Sequence, residues 1–426
     1  MKKIPINRAA LLCLCMIICT ALLVKCIDHD VKNVAKADAA KDSTGFILYA
    51  GSATCAKCHK DIYDSAIHTQ HYLTTRPASA EYIKGSFEQG KNFYAYAPNI
   101  VVAMEKSDSG FFEVGYFNGI AGISKRIDIV VGSGAKGQTY ITRYKKKLYQ
   151  LPVSYFTAAN DWANSPEYPT HPVIFNRPIT SRCLECHTTF VEKIPTPDHS
   201  QEEFSQNIIY GIDCEKCHGP GAKHVAYQTQ NPKDAIARYI VNPAKFSRQQ
   251  SLDLCGLCHG GKLDKTKPSF TFISGDKLSD YFQKSTLRVD SADIDVHGNQ
   301  LGLLSISKCF KNSSTMTCIT CHSPHDNERG KIELFSQRCI SCHGNQKNHS
   351  YKMTAEIGSS IKENCIDCHM PLRPSKTITE LLPGKTRPTA ALIRSHHIAI
   401  YPEDTKKILA IFKLNKYDGH KHEALK

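Results

Sequence analysis

Cys55-Ala56-Lys57-Cys58-His59 is the first of seven C-x-x-C-H pentapeptides in this 426-residue chain. The others run Cys183–His187, Cys214–His218, Cys255–His259, Cys318–His322, Cys339–His343 and Cys365–His369, with second cysteines Cys186, Cys217, Cys258, Cys321, Cys342 and Cys368. The pentapeptide is the attachment signature of c-type haem. Its two thiols add across the porphyrin vinyl groups, and the adjoining histidine is placed to bind iron. His59, His187, His218, His259, His322, His343 and His369 are the expected proximal ligands, one for each of seven covalently bound haem c groups.

Two other readings of the cysteines fare worse. Structural zinc sites use C-x-x-C pairs two at a time to complete a tetrahedron. They give no reason for a histidine directly after every second cysteine, and seven is an odd number. A disulfide framework explains the histidine no better. Four of the remaining cysteines, Cys13, Cys15, Cys19 and Cys26, lie near the N-terminus, and only Cys309 is left over.

The formal charge is +14. A basic chain invites a nucleic-acid reading, but each haem brings two propionates, so the excess of Lys and Arg serves the cofactors and no nucleic acid is expected. The partners expected are redox proteins. The sequence indicates no oligomeric state.

Lys2, Lys3 and Arg8 precede an apolar run from Ala9 to Val24 that ends at Lys25. Residues 1–25 therefore read as a signal peptide or an N-terminal membrane anchor, which places the chain in the periplasm or an equivalent exported compartment. Residues 26–48 read as a flexible tether and 49–85 as a first haem module. Residues 86–160 form a β-rich insert, in which stretches such as Phe111-Phe112-Glu113-Val114-Gly115-Tyr116-Phe117 are punctuated by Asn118-Gly119 and Gly132-Ser133-Gly134. That pattern predicts an antiparallel meander. Residues 161–400 are a six-haem core, beginning with a proline-rich run from Trp162 to Pro178 that reads as an ordered loop. Residues 401–426 are a closing amphipathic helix and tail. The fold class expected is mainly α with extensive loops, a multihaem core stabilised by seven haems, and the insert as its one sizeable β region.

Function turns on the second axial face of each iron: a second histidine saturates it for electron transfer, whereas an open side permits substrate chemistry. Seven positions suit seven irons: His68 or His71, His171, His224, His297, His325, His349, and His396 or His397. His325 follows His322 too closely to reach the other face of the same haem, so it is expected to serve a neighbour. Gly219 and Gly221 allow His224 a close return. His29 and His199 read as surface residues. Met104, Met316, Met353 and Met370 are weaker ligand candidates.

Four segments carry a family resemblance. They are Tyr49-Ala50-Gly51-Ser52 through Cys55–His59 to His68; Gly211-Ile212-Asp213-Cys214 through Gly219-Pro220-Gly221 to His224; Cys318-Ile319-Thr320-Cys321-His322-Ser323-Pro324-His325; and Cys365–His369 with Met370-Pro371 and Arg394-Ser395-His396. They resemble the multihaem c-type cytochromes with the cytochrome c-552/4 type haem domain and paired C-x-x-C-H modules, the group around hydroxylamine oxidoreductase and its four-haem electron acceptor. The resemblance implies His68 as a distal ligand and His396 in preference to His397. No C-x-x-C-K variant is present, and no tyrosine-rich cross-linking region can be placed on a residue.

The function expected is an exported seven-haem cytochrome moving electrons between respiratory partners through mostly bis-His haems. The alternative is an oxidoreductase acting on a small nitrogen or sulfur compound (nitrite, hydroxylamine or tetrathionate class) at one open-sided haem. A docking subunit of a respiratory assembly, with the β insert as its contact surface, is a third reading.

Overall fold

The computed structural model describes residues 45–197, 200–284, 294–344 and 363–417. The leader and most of the tether, His29, His199, His349, Met353 and the final His420 and His422 lie outside the described residues. The described chain divides into two compact units, a small one of residues 45–51 and 220–240 and a larger one of residues 52–219 and 241–417.

In the small unit the short turn Gly45–Leu48 accompanies the helix Ala222–Gln230. Asp234 ties the segment after that helix back onto it, accepting from Tyr227 Oη at 2.8 Å and Arg238 Nε at 3.0 Å.

The large unit begins its β structure with β1 (Thr75–Pro77), β2 (Phe93–Ala97), β3 (Ile100–Ser107), β4 (Gly110–Phe117) and β5 (Ile120–Ile127). It continues with β6 (Ile129–Val131), β7 (Gly137–Tyr144), β8 (Lys147–Gln150), β9 (Val153–Phe156), β10 (Asp161–Asn164) and β11 (Arg177–Pro178). Strands β2-β3-β4-β5 make one antiparallel meander; a second sheet runs β1-β6-β7-β8-β11, with β9 joining β7 to β10. The β4–β5 turn is Asn118-Gly119, with φ of 48° and 75°, the left-handed pair that a tight hairpin demands and that this dipeptide tolerates.

Tyr94, Val102, Met104, Ile127, Val130, Tyr140 and Val153 pack around Trp162 between the sheets. The indole Nε1 donates to Ser86 O at 3.0 Å, and Gly85 lies so close to the ring that a Cβ there would meet it at 2.2 Å. Trp162 is therefore a strand residue at the centre of a β core, not the start of a loop.

The expectation of a mainly α fold is overturned. Three further antiparallel ribbons occupy the spaces between motifs: β12 (Thr188–Ile194) with β13 (Glu203–Tyr210), β14 (Leu263–Lys265) with β15 (Phe282–Lys284), and β16 (Leu372–Glu380) with β17 (Thr389–Arg394). Five helices stop at the motif histidine: Ser181–His187, Cys214–His218, Arg248–His259, Ile332–His343 and Ile366–His369. After His187, His259 and His369 the chain returns extended, as β12, β14 and β16. Thr188-Thr189-Phe190-Val191 and Asn207-Ile208-Ile209-Tyr210 are rich in β-branched and aromatic residues, which fit a pleated surface. Asn164 N donates to Leu381 O at 3.0 Å, bracing β10 against the end of β16.

Candidate functional site: seven motifs and their facing histidines

A C-x-x-C-H run wound into one helical turn brings its two cysteines and its histidine to one face, since positions three and four apart are neighbours on a helix. The backbone does this even where no long helix forms. His59 N donates to Cys55 O at 2.9 Å, His322 N to Cys318 O at 3.0 Å and His369 N to Cys365 O at 3.1 Å. Local capping sets where the turns begin. Asp213 caps Cys214–His218 by accepting from Glu215 N at 3.0 Å, and Ser247 with Gln250 forms a capping box ahead of Arg248–His259. Burial pushes Asp213 up to about 6.

Long-range contacts then seat the motifs. Thr74 and Thr75 hydroxyls both donate to His187 O, at 2.9 and 2.6 Å. Glu185, between the cysteines of the second motif, is buried and accepts from Lys265 Nζ at 2.7 Å, Arg182 Nη1 at 3.0 Å and Phe270 N at 2.7 Å. Nothing in the local sequence flagged this carboxylate; its partners are brought to it only by the fold.

Among the described residues, three motif histidines face a non-motif histidine. Ring centres are 6.0 Å apart for His71 and His259, 6.1 Å for His218 and His325, and 6.2 Å for His322 and His396. The planes meet at 56°, 14° and 31° respectively. A metal–imidazole bond is about 2 Å and the ring centre lies roughly 1 Å behind the nitrogen, so one iron between two imidazoles sets ring centres about 6 Å apart. His187 has His297 near it in a fourth association.

The rings are also in the right state. His71 keeps a solvent-facing edge, yet burial of the rest, with His259 and His322 beside it, pushes it down to about 4. Burial brings His187 and His396 to about 4 as well, and lowers His218, His259, His297 and His322. Neutral imidazole is the form that binds a metal. Nδ1 is engaged by Val241 O in His218 (2.9 Å), by Gln300 Oε1 in His259 (3.0 Å) and by Ala399 O in His369 (2.9 Å). These acceptors hold the proton on Nδ1 and leave Nε2 for iron. The donor set therefore fits covalent haem.

Thiols of different motifs also approach one another: Cys55 and Cys214, Cys186 and Cys258, and Cys255 and Cys318. Cys339 lies near Cys365 and Cys321.

The remaining candidates are placed as follows. His68 is exposed and lines a cavity, while His71, three residues on, is the one that faces a motif. His171 is exposed in the proline-rich loop. His224, in the small unit, has Nδ1 on Arg238 O at 2.8 Å. His397 turns to Tyr401, whose hydroxyl lies 3.2 Å from its Nδ1. His297 is set by Asp295, which accepts from His297 N at 3.3 Å and from Lys376 N at 3.0 Å of β16. Cys309 is half-buried.

Residues 163–219 match the family described as cytochrome c554 and c-prime. The C-type polyheme cytochrome OmcC of Geobacter sulfurreducens is 24% identical over 210 residues, 44% of this chain and 25% of that protein, so the match spans a quarter of the relative's length. The crystal structure of the outer cell wall cytochrome OcwA superposes with a TM-score of 0.53 at 18% identity, over 84% of this chain and 81% of that one. That likeness is one of fold. With the repeated attachment motif, these similarities support a multihaem c-type cytochrome carrying covalent haem c.

Proposed function

We propose that the chain is an exported electron-transfer cytochrome with seven haem c groups, most of them held between two histidines, that connects respiratory redox proteins. The observation that carries this reading is the 6.0–6.2 Å pairing of His71, His325 and His396 with His259, His218 and His322. Two imidazoles leave no iron position for substrate, and histidine in place of methionine lowers the potential.

When bound, haem supplies a one-electron iron couple; the chain sets spacing and potential. The thiol contacts support two runs of neighbouring motifs, the first beside the third, and the second beside the fourth with the fourth beside the fifth. The sixth then follows towards the seventh. His224 is a further distal candidate because its tautomer already suits iron. The outer cell wall source of the fold neighbour and the basic-then-apolar leader support an exported location, with residues 1–25 acting as signal or anchor.

Electron paramagnetic resonance of the oxidised protein, with carbon monoxide added to the reduced form, tests this. Low-spin signals alone and no carbon monoxide uptake are expected. A high-spin signal of one haem equivalent with matching uptake would overturn a pure relay. Haem content per chain, by pyridine haemochrome, checks the number.

A further inference from the structure

A cavity of about 320 Å³ lies where the helix Lys60–Ala66, β1 and the β6–β7 hairpin meet. None of its lining residues belongs to a C-x-x-C-H motif, so it is not the seat of a porphyrin on its own attachment turn. Its most unusual occupant is Arg76. The guanidinium carbon stands over Tyr72, 3.6 Å from the ring centre, and its Nε and Nη2 are buried with no hydrogen-bond partner in the chain. A guanidinium cannot shed its charge to escape this position, because its pKa lies far above neutrality. The side chain as a whole is half-buried, but two donor N–H groups of a cation left without an acceptor are unfavourable, so the cavity suits an acceptor from outside the chain.

The surroundings favour an anion. Lys84 and His68 line the same cavity, with the side chains of Tyr63 and Tyr82. The one carboxylate in the lining, Glu81, lies beside Tyr82. The walls are held in place. Gln138 accepts from Lys84 N at 2.9 Å and donates to Tyr82 O at 2.7 Å, while Gly132 N donates to Thr74 O at 2.6 Å beside β1. Gly132 has φ of 104°, and a Cβ there would stand 2.6 Å from Gly137 O, so only glycine lets the hairpin close over the cavity.

We propose that the Arg76 cavity is an anion site that takes a carboxylate or small oxyanion on the guanidinium fork. Such a group can come from two sources, a haem propionate reaching in from a neighbouring motif or a free anion from solution. The proposal stands on Arg76 and its cavity, and it does not need His68 as an anion contact.

The test uses the full haem-loaded protein, calorimetric titration with sodium acetate and with sodium sulfate, and a potentiometric titration of the haems. Wild type, Arg76→Gln, Arg76→Lys and the remote surface variant Lys91→Gln are compared. If the anion is free, wild type and K91Q bind one equivalent and R76Q loses about tenfold or more in affinity, as removal of a charged hydrogen bond predicts. If the anion is a propionate, wild type takes up neither salt, but R76Q lowers the midpoint of one haem, because a lost cation makes reduction harder. R76K then restores most of that midpoint. Should R76Q fail to accumulate, R76K, which keeps the charge without the fork, carries the affinity comparison. Salt binding unaffected by either Arg76 variant, or no binding together with unchanged midpoints, would overturn the proposal.

Discussion

His71 and His259 lie on distant parts of the chain, yet their ring centres stand 6.0 Å apart with the planes tilted by 56°. His71 leaves the segment after the first motif, and Ile212 N holds it there by donating to His71 O at 2.8 Å. His259 closes the helix of the fourth motif, its Nδ1 on Gln300. The first module therefore sets its His71 ring against the fourth motif and not against its own.

That crossing separates two neighbouring histidines. Replacing His71 by Ala is expected to convert one haem equivalent from low spin to high spin and to create a carbon monoxide site. Replacing His68 by Ala should leave the low-spin spectrum unchanged. The two spectra, recorded side by side, decide which histidine is the ligand.

Ring angle is a second handle. Nearly parallel imidazoles split the iron d orbitals most, so the His218–His325 pair, at 14°, should give the most rhombic low-spin signal. The His71–His259 pair, at 56°, should give a larger maximum g value. His325→Ala is expected to delete the first signal and spare the second in low-temperature spectra.

Glu185 is 1% exposed and is shared by Lys265 and Arg182. Replacing it with Ala strands two cations and the Phe270 amide, a loss of about 3 kcal/mol by the usual cost of breaking a buried ion pair. Denaturant unfolding of the haem-loaded protein should show it as a lower midpoint with an unchanged slope.

Burial pushes Glu380 up to about 9 from an ordinary 4.5, and one of its oxygens has no partner. Between those values the folded chain holds a proton that the unfolded chain has released. Stability is thus greatest below the lower value and falls as pH rises towards the higher one, by at most about 1.4 kcal/mol per pH unit. Glu380→Gln should remove that slope. Unfolding at pH 5.5 and pH 8.5 checks it: the wild type should lose stability relative to the variant, and equal changes in both would count against a protonated Glu380.

The attachment turns were legible because their chemistry is local. Two cysteines and a histidine within five residues need only one turn to share a face. The β4–β5 hairpin was legible for a similar reason, since Asn118-Gly119 carries its own backbone preference. The ribbons were not. Thr188–Ile194 and Leu372–Glu380 have bulges and broken alternation, and each lies beside a helical turn that dominates the local pattern. Their pairing depends on strands elsewhere.

The same division runs through the candidate site. That this chain attaches several haems follows from seven repeats of five residues, whatever the rest of the molecule does. Which histidine completes which iron depends on contacts such as Thr75 to His187 and Ser307 to Ile398, made between residues far apart in the chain. Ring partners, the order of the motifs in space and the cavity at Arg76 belong to tertiary structure alone, because a histidine's spacing from its own motif says nothing about the neighbour it folds against.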